Sequence, residues 1–306
     1  MSPVQSAASP ISGVLPVFQT PFHEDETIDF ATLEREIHWL YDQGSDGIVM
    51  GMVSETLRLS SEERQQLVEA ACRFGGKRGV VVISVGAESS HTAEMYARHA
   101  EAVGAAAVMA IPPVSVGVAE DELKRYYERI IKAITIPVIV QDASGYVGKP
   151  MSIALQASLF NEYGQQVMFK PEATPIGPRL SALRQATGGQ AAIFEGTGGI
   201  ALVDSYRRGI AGTIPGADLI DGIVALWRAL QAGDEWRIYQ LSLPLSALIA
   251  VQTSLDAFLA VEKYLLVKRG IFKNTIVRGP VGYVLDEETR QEIDRLFERL
   301  LAALYE

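Results

Sequence analysis

The stretch Gln166-Val167-Met168-Phe169-Lys170-Pro171-Glu172-Ala173 sets three apolar residues against a lysine, a proline and a glutamate. A short apolar run bounded by turn formers reads as a buried strand. A cation at the end of such a strand is costly to remove from water, so Lys170 either finds a partner or sheds its proton. A desolvated lysine is also a nucleophile toward carbonyl groups. Glu172 lies two residues on and, in strand geometry, points to the same side. Taken alone, the stretch also fits a lysine that snorkels to the sheet edge and pairs with Glu172. Its surroundings in the chain decide between the two readings.

Outward from this stretch the same unit repeats. Strands are predicted over residues 13–22, 46–51, 79–86, 106–113, 136–142, 166–173, 191–196 and 212–216. Helices are predicted near 30–43, 60–74, 92–103, 120–133, 152–160, 178–186, 200–208 and 218–230. In the first helix Asp29 caps, and Phe30, Leu33, Ile37 and Leu40 recur at helical spacing. Ser60 or Ser61 caps the second, where Ser61 with Arg64 makes no capping box. Strands four to seven are apolar runs without alternation, as a parallel sheet buried on both faces requires. Eight strand–helix units point to an α/β chain folded as a (β/α)8 TIM barrel over residues 12–232. A C-terminal helical extension follows over 233–306, interrupted near Gly270–Tyr283, and residues 1–11 form a flexible leader. An open doubly wound sheet is the competing topology. It lacks its dinucleotide fingerprint here, since Gly196–Gly199 has the wrong spacing and no P-loop lysine motif occurs.

Composition narrows the function. A chain of 306 residues with 48% hydrophobic residues can bury one large core. A net charge of −10 argues against nucleic acid or an anionic membrane as partner. The single cysteine, Cys72, can form no internal disulfide and belongs to no metal-binding spacing, which fits the cytoplasm and implies no metal and no cofactor. No secretory signal opens the chain and no apolar run is long enough for a membrane span. His23, His38, His91 and His99 are scattered and read as surface residues, and Trp39, Trp227 and Trp236 read as helix packing.

In a barrel, chemistry sits where the strands end. Those ends carry Thr20, the loop Gly51–Glu55, Pro112 and Pro113, Gln141 and Asp142, Lys170 and Glu172, Glu195 with Gly196 and Thr197, and Pro215 with Gly216. Lys170 is the one lysine among them, which favours the nucleophile over the salt bridge. A lysine imine with a 2-oxo acid is an electron sink for carbon–carbon chemistry or loss of β-water. Backbone N–H groups around Val53, Ser54 and Glu55 are candidates to bind the substrate carboxylate. Glu172, Glu195, Ser54 and Thr197 are candidates to move protons, and Ser144–Gly148 is a candidate rim. Ser54 and Glu55 also fit a plain capping role, and Glu195 a structural partner for Lys170.

With these residues in place the chain resembles the N-acetylneuraminate lyase/dihydrodipicolinate synthase family of class I aldolases across roughly residues 12–300. The resemblance rests on Leu15–Phe22, on Gly51–Glu55 followed by Leu59–Glu63, on Ala110–Pro113 and on Lys170. It implies a barrel with a C-terminal helical extension, a homo-oligomer (tetramer or dimer), and Schiff-base chemistry at Lys170 on pyruvate-like 2-oxo acids. Three departures stand out. Val53 replaces a threonine hydroxyl, Gln141 replaces the family's tyrosine proton shuttle, and Tyr146 stands near the place of the synthase's arginine. Glutamine cannot relay a proton as a phenol does. The residues Val140–Ala143, Phe169–Glu172 and Glu195–Gly196 resemble the family's 2-keto-3-deoxy sugar acid dehydratases more closely. That subgroup implies dehydration of an acid such as 2-keto-3-deoxyarabonate, with Glu172 or Glu195 as the acid. A pyruvate aldolase, a dihydrodipicolinate synthase-type condensation, and a non-catalytic barrel that binds 2-oxo acids are the alternatives.

Overall fold

The computed structural model describes residues 11–145 and 148–305. The predicted leader lies almost wholly outside them, and so do Tyr146 and Val147 of the predicted rim. One parallel ladder runs from β2 (Gly47–Met50) through β3 (Val80–Ser84), β4 (Ala107–Ala110) and β5 (Val138–Asp142) to β6 (Val167–Pro171). A second joins β1 (Gly13–Val14), β8 (Gly212–Thr213) and β7 (Phe194–Glu195). Two single bridges close the ring: Val17 pairs with Val49, and Ile193 with Phe169. The outer helices are α1 (Phe30–Asp42), α2 (Ser61–Gly75), α3 (Ser90–Ala102), α4 (Glu120–Ala133), α5 (Ile153–Tyr163), α6 (Ile176–Ala186), α7 (Leu202–Arg207) and α8 (Ile220–Ala232). The expected (β/α)8 barrel is the fold, and α9 (Glu235–Ala250), α10 (Leu255–Lys268) and α11 (Glu287–Tyr305) follow it.

Local details depart from expectation. The first, seventh and eighth strands are far shorter than their apolar runs. Pro16 and Pro215 interrupt two of those runs and have no N–H to give a ladder. Pairing there continues as isolated bridges and as Val17 N–H donating to the Pro215 carbonyl at 2.8 Å. Of the two expected caps for the second helix, Ser60 is the one used, and it forms a capping box with Glu63. Trp236 is not packing: it stands 82% exposed on α9.

Side chains of the ring sort by strand parity. Leu15, Val17, Val49, Val82, Ala107, Met109, Ile139, Met168, Phe194 and Ile214 form one apolar cluster. Their neighbours Ile48, Val81, Val108, Val138, Val140, Val167, Phe169 and Ile193 belong to the larger cluster shared with the helices. The first set fills the barrel and the second packs outward, as the two-residue period demands.

The extension is tied to the barrel mouth by a buried ion pair. Lys263 of α10 meets the Glu55 carboxylate and donates to the carbonyls of Thr20 at 2.9 Å and Ile276 at 2.6 Å. The other Glu55 oxygen accepts from the Arg278 N–H at 3.0 Å. Glu55 holds a left-handed φ of 56°, which a non-glycine residue adopts at some cost. Removing one partner of such a pair strands a buried charge. Lys263→Met is therefore expected to lower unfolding free energy by about 3–5 kcal/mol, read from urea titration.

Candidate active site

Strand parity places the chemistry. Met168 points into the barrel, so Lys170, two residues on, does too. Ile139 is inward on β5, and Gln141 follows it on the same face, in register with Lys170. Above the apolar plug opens a small cavity of about 50 Å³, with Lys170, Glu172 and Gln141 in its wall. Lys170 is only 4% exposed and Glu172 3%.

The polar groups are joined in a chain. The Lys170 Nζ donates to Glu172 Oε1 at 2.6 Å, and Gln141 Nε2 donates to Glu172 Oε2 at 2.6 Å. Burial pushes the Glu172 carboxyl above its ordinary range, while the charge and hydrogen bonds of Lys170 and Gln141 offset part of that rise. Glu172 is thus a buried carboxyl held above its ordinary range, with the Lys170 amine at contact distance. Gln141 cannot exchange a proton and acts by aiming the carboxyl.

Other predicted residues divide by position. Val53, Gly196 and Pro215 line the cavity. Gly196 is there for space: a Cβ would stand 2.8 Å from Lys170 Cε and 2.9 Å from Glu172 Cγ. Glu195 falls on the opposite parity and lies outside the cavity wall. It accepts from Thr213 Oγ1 at 2.7 Å and from the N–H and hydroxyl of Thr197, which uses that hydroxyl to accept from the Ala201 N–H at 3.0 Å. Glu195 and Thr197 therefore brace the strand ends beside the cavity. Ser54 and Glu55 are also withdrawn. Their N–H groups donate to Gly51 and Met52 carbonyls at 3.1 and 2.9 Å, closing a short 3-10 turn. The Ser54 hydroxyl bonds the Phe18 carbonyl at 2.5 Å, and Glu55 is the partner of Lys263. Gly51, Met52 and Val53 remain as that loop's face to the cavity.

Sequence reading missed Glu262. This α10 residue lines the same cavity with Leu255 and Phe258, one helical face at spacings of three and four. Glu262 is 1% exposed, and Gln19 Nε2 donates to its Oε2 at 2.5 Å. An acidic residue at an inward helical position of α10 was the available signal, but nothing local says that α10 covers the barrel mouth. Among the described residues no group of three His, Cys, Asp or Glu side chains is placed to hold a metal ion. No single helix among them is long and apolar enough to cross a membrane.

This barrel, with a buried lysine at the end of β6, defines a class: the profile of the Dihydrodipicolinate synthetase family matches residues 10–300. The chain belongs to that family and is an enzyme of the class I aldolase and lyase type. It is 28% identical over 297 residues to an L-2-keto-3-deoxyarabonate dehydratase from Azospirillum brasilense, with 94% of each chain covered. It is 26% identical to a 4-hydroxy-tetrahydrodipicolinate synthase from Bartonella bacilliformis, covering 93% of this chain and 96% of that one. The crystal structure of dihydrodipicolinate synthase from Rhodopseudomonas palustris superposes with a TM-score of 0.87 at 26% identity, over 95% of this chain and 98% of that one.

The tight fit at Gly196 is directly testable. Gly196→Ala is expected to push the Lys170 side chain off Glu172 and lower stability by about 1–3 kcal/mol through overpacking. Urea unfolding and a crystal structure of the variant check both parts.

Proposed function

We propose that this chain is a Schiff-base-forming lyase for a 2-oxo acid, and that it dehydrates a 2-keto-3-deoxy sugar acid such as 2-keto-3-deoxyarabonate. The observation that carries the reading is the contact of Lys170 with Glu172 at 2.6 Å inside the barrel mouth. Similarity to the Azospirillum dehydratase supports the substrate class.

The chemistry follows from the contacts. Proton transfer from the Lys170 ammonium to Glu172 gives a neutral amine and a neutral acid, the form that burial favours. The amine adds to the C2 carbonyl, and the resulting hydroxyl leaves as water with the proton from Glu172. The product is a protonated imine whose C3 protons are acidic. The Glu172 carboxylate takes one of them, and the bonding pair passes to nitrogen as an enamine. That pair returns to expel the C4 hydroxyl, which leaves as water on receiving the same proton from Glu172. Hydrolysis of the imine frees Lys170. Gln141 is a positioning residue throughout, and no step needs a cofactor. The substrate carboxylate lies against the Gly51–Val53 turn, where the Met52 and Val53 amides precede the turn's own hydrogen bonds. Gly196 and Pro215 form the facing wall.

The relatives named as synthases favour a second reading, condensation of a pyruvate enamine with an aldehyde, through the same imine. The same proposal places the enzyme in the cytoplasm as a homo-oligomer, a tetramer or dimer. The exposed α9 stripe of Trp236, Tyr239 and Leu243 supports association.

Borohydride reduction in the presence of pyruvate is expected to add the mass of the reduced imine at Lys170, and Lys170→Arg to abolish the adduct. An enzyme that gives no adduct with any 2-oxo acid would sink the proposal. Glu172→Gln is expected to slow turnover of a 2-keto-3-deoxy acid by about 10²–10⁴-fold, with products identified by mass. A wild-type rate in that variant would remove Glu172 from the chemistry, and an exclusively condensed product would select the second reading.

A further inference from the structure

The mechanism leaves one buried acid in the cavity wall unused. Glu262 reaches the cavity from the extension, beside the ends of β1 and β8. A Cβ on Gly216 would stand 2.5 Å from Glu262 Oε1, so this carboxyl presses on the backbone after β8. Gly216 bridges to Val17, and Val17 in turn touches the space over Gly51, where a Cβ would meet its Cγ1 at 2.9 Å. Helix α10 itself packs on the Met52–Ser54 turn. Glu262 and the Gly51–Val53 turn therefore flank the same residue and face the same corner of the cavity.

The surroundings of Glu262 supply little positive charge. Gln19 offers one amide donor to Oε2, and the Ala217 backbone N–H is a second donor that favours the charged form. Asp218 and Glu36 are buried acids whose charges act on it, and each keeps an oxygen with no hydrogen-bond partner among the described residues. Lys263, next in the chain, is committed to Glu55, and Arg269 to Asp221. Burial, then the Asp218 charge, pushes the Glu262 carboxyl well above its ordinary range, and burial lifts Asp218 to about 7. Across the cavity Lys170 is matched by Glu172. An ionised Glu262 would leave this corner with an excess negative charge, next to the turn where an anionic substrate docks.

We infer that Glu262 is a substrate-binding residue: as a neutral acid it donates an O–H hydrogen bond to the carboxylate of the 2-oxo acid held at the Gly51–Val53 turn. The C-terminal extension thereby contributes a side chain to the site, and the barrel alone forms an incomplete pocket. This inference rests on the imine chemistry proposed for Lys170.

The test compares two probes trapped by borohydride at Lys170: pyruvate, which has the carboxylate, and hydroxyacetone, which lacks it. Glu262→Leu is expected to raise half-saturating pyruvate at least about tenfold, as for loss of a hydrogen bond to a charged group, and to leave hydroxyacetone trapping within about twofold. Glu262→Gln keeps a donor and is expected to restore most of the pyruvate affinity. Should Glu262→Leu fail to fold, Glu262→Ala takes its place. Equal losses with both probes would assign Glu262 a structural role and overturn the inference, as would unchanged pyruvate affinity. Failure of the wild-type enzyme to trap either probe would instead overturn the Lys170 chemistry, and this inference with it.

Discussion

Successive side chains of a β-strand point to opposite faces, and in a closed barrel one face is the inside. The strand residues of this site are placed by that constraint. Met168, Lys170 and Glu172 share a face, so the lysine stands on an apolar plug with its carboxylate beside it. Gln141 shares it from β5 through the Gln141–Lys170 register. Glu195 has the other parity and is spent on Thr197 and Thr213. One residue of slip in β6 would turn Lys170 toward the helices and expose Phe169 to the cavity.

The second organising feature is how buried charge is managed. Glu55 and Lys263 form a pair with neither side chain exposed, and backbone groups satisfy their remaining capacity. That network fastens α10 and the segment before α11 over the mouth of the barrel. It holds α10 there without using Lys170, Glu172 or Gln141. In the cavity the opposite choice is made. Lys170 and Glu172 bond each other, and Gln141 is the further partner of Glu172. A networked pair at the rim and a sparsely bonded pair in the cavity are two arrangements in the same low dielectric.

Much of this was legible from residue pattern. Alternating apolar runs and helical spacings announced the eight units, and Lys170 was visible as a cation ending an apolar strand. Prolines were the local flaw, because Pro16 and Pro215 end regular pairing while the apolar run continues. Ser54, Glu55 and Thr197 had the right chemistry at strand ends, but their hydrogen bonds are consumed by the loop itself. Parity counted from Met168 and Phe194 would have separated Gly196 from Glu195 in advance. The role of Glu262 had no such marker, since its contact with the cavity spans 92 residues from Lys170.

Sequence by itself determined the barrel, the family resemblance and the one lysine at a strand end, because periodicity and strand-end identity are local properties. Only the tertiary structure decided which acid meets that lysine, which loop amides face the cavity, and that α10 completes its wall. Those depend on ring closure and on the buried Glu55–Lys263 pair, contacts between residues far apart in the chain. Local spacing carries no record of such contacts, since they form only when the strands have closed on one another.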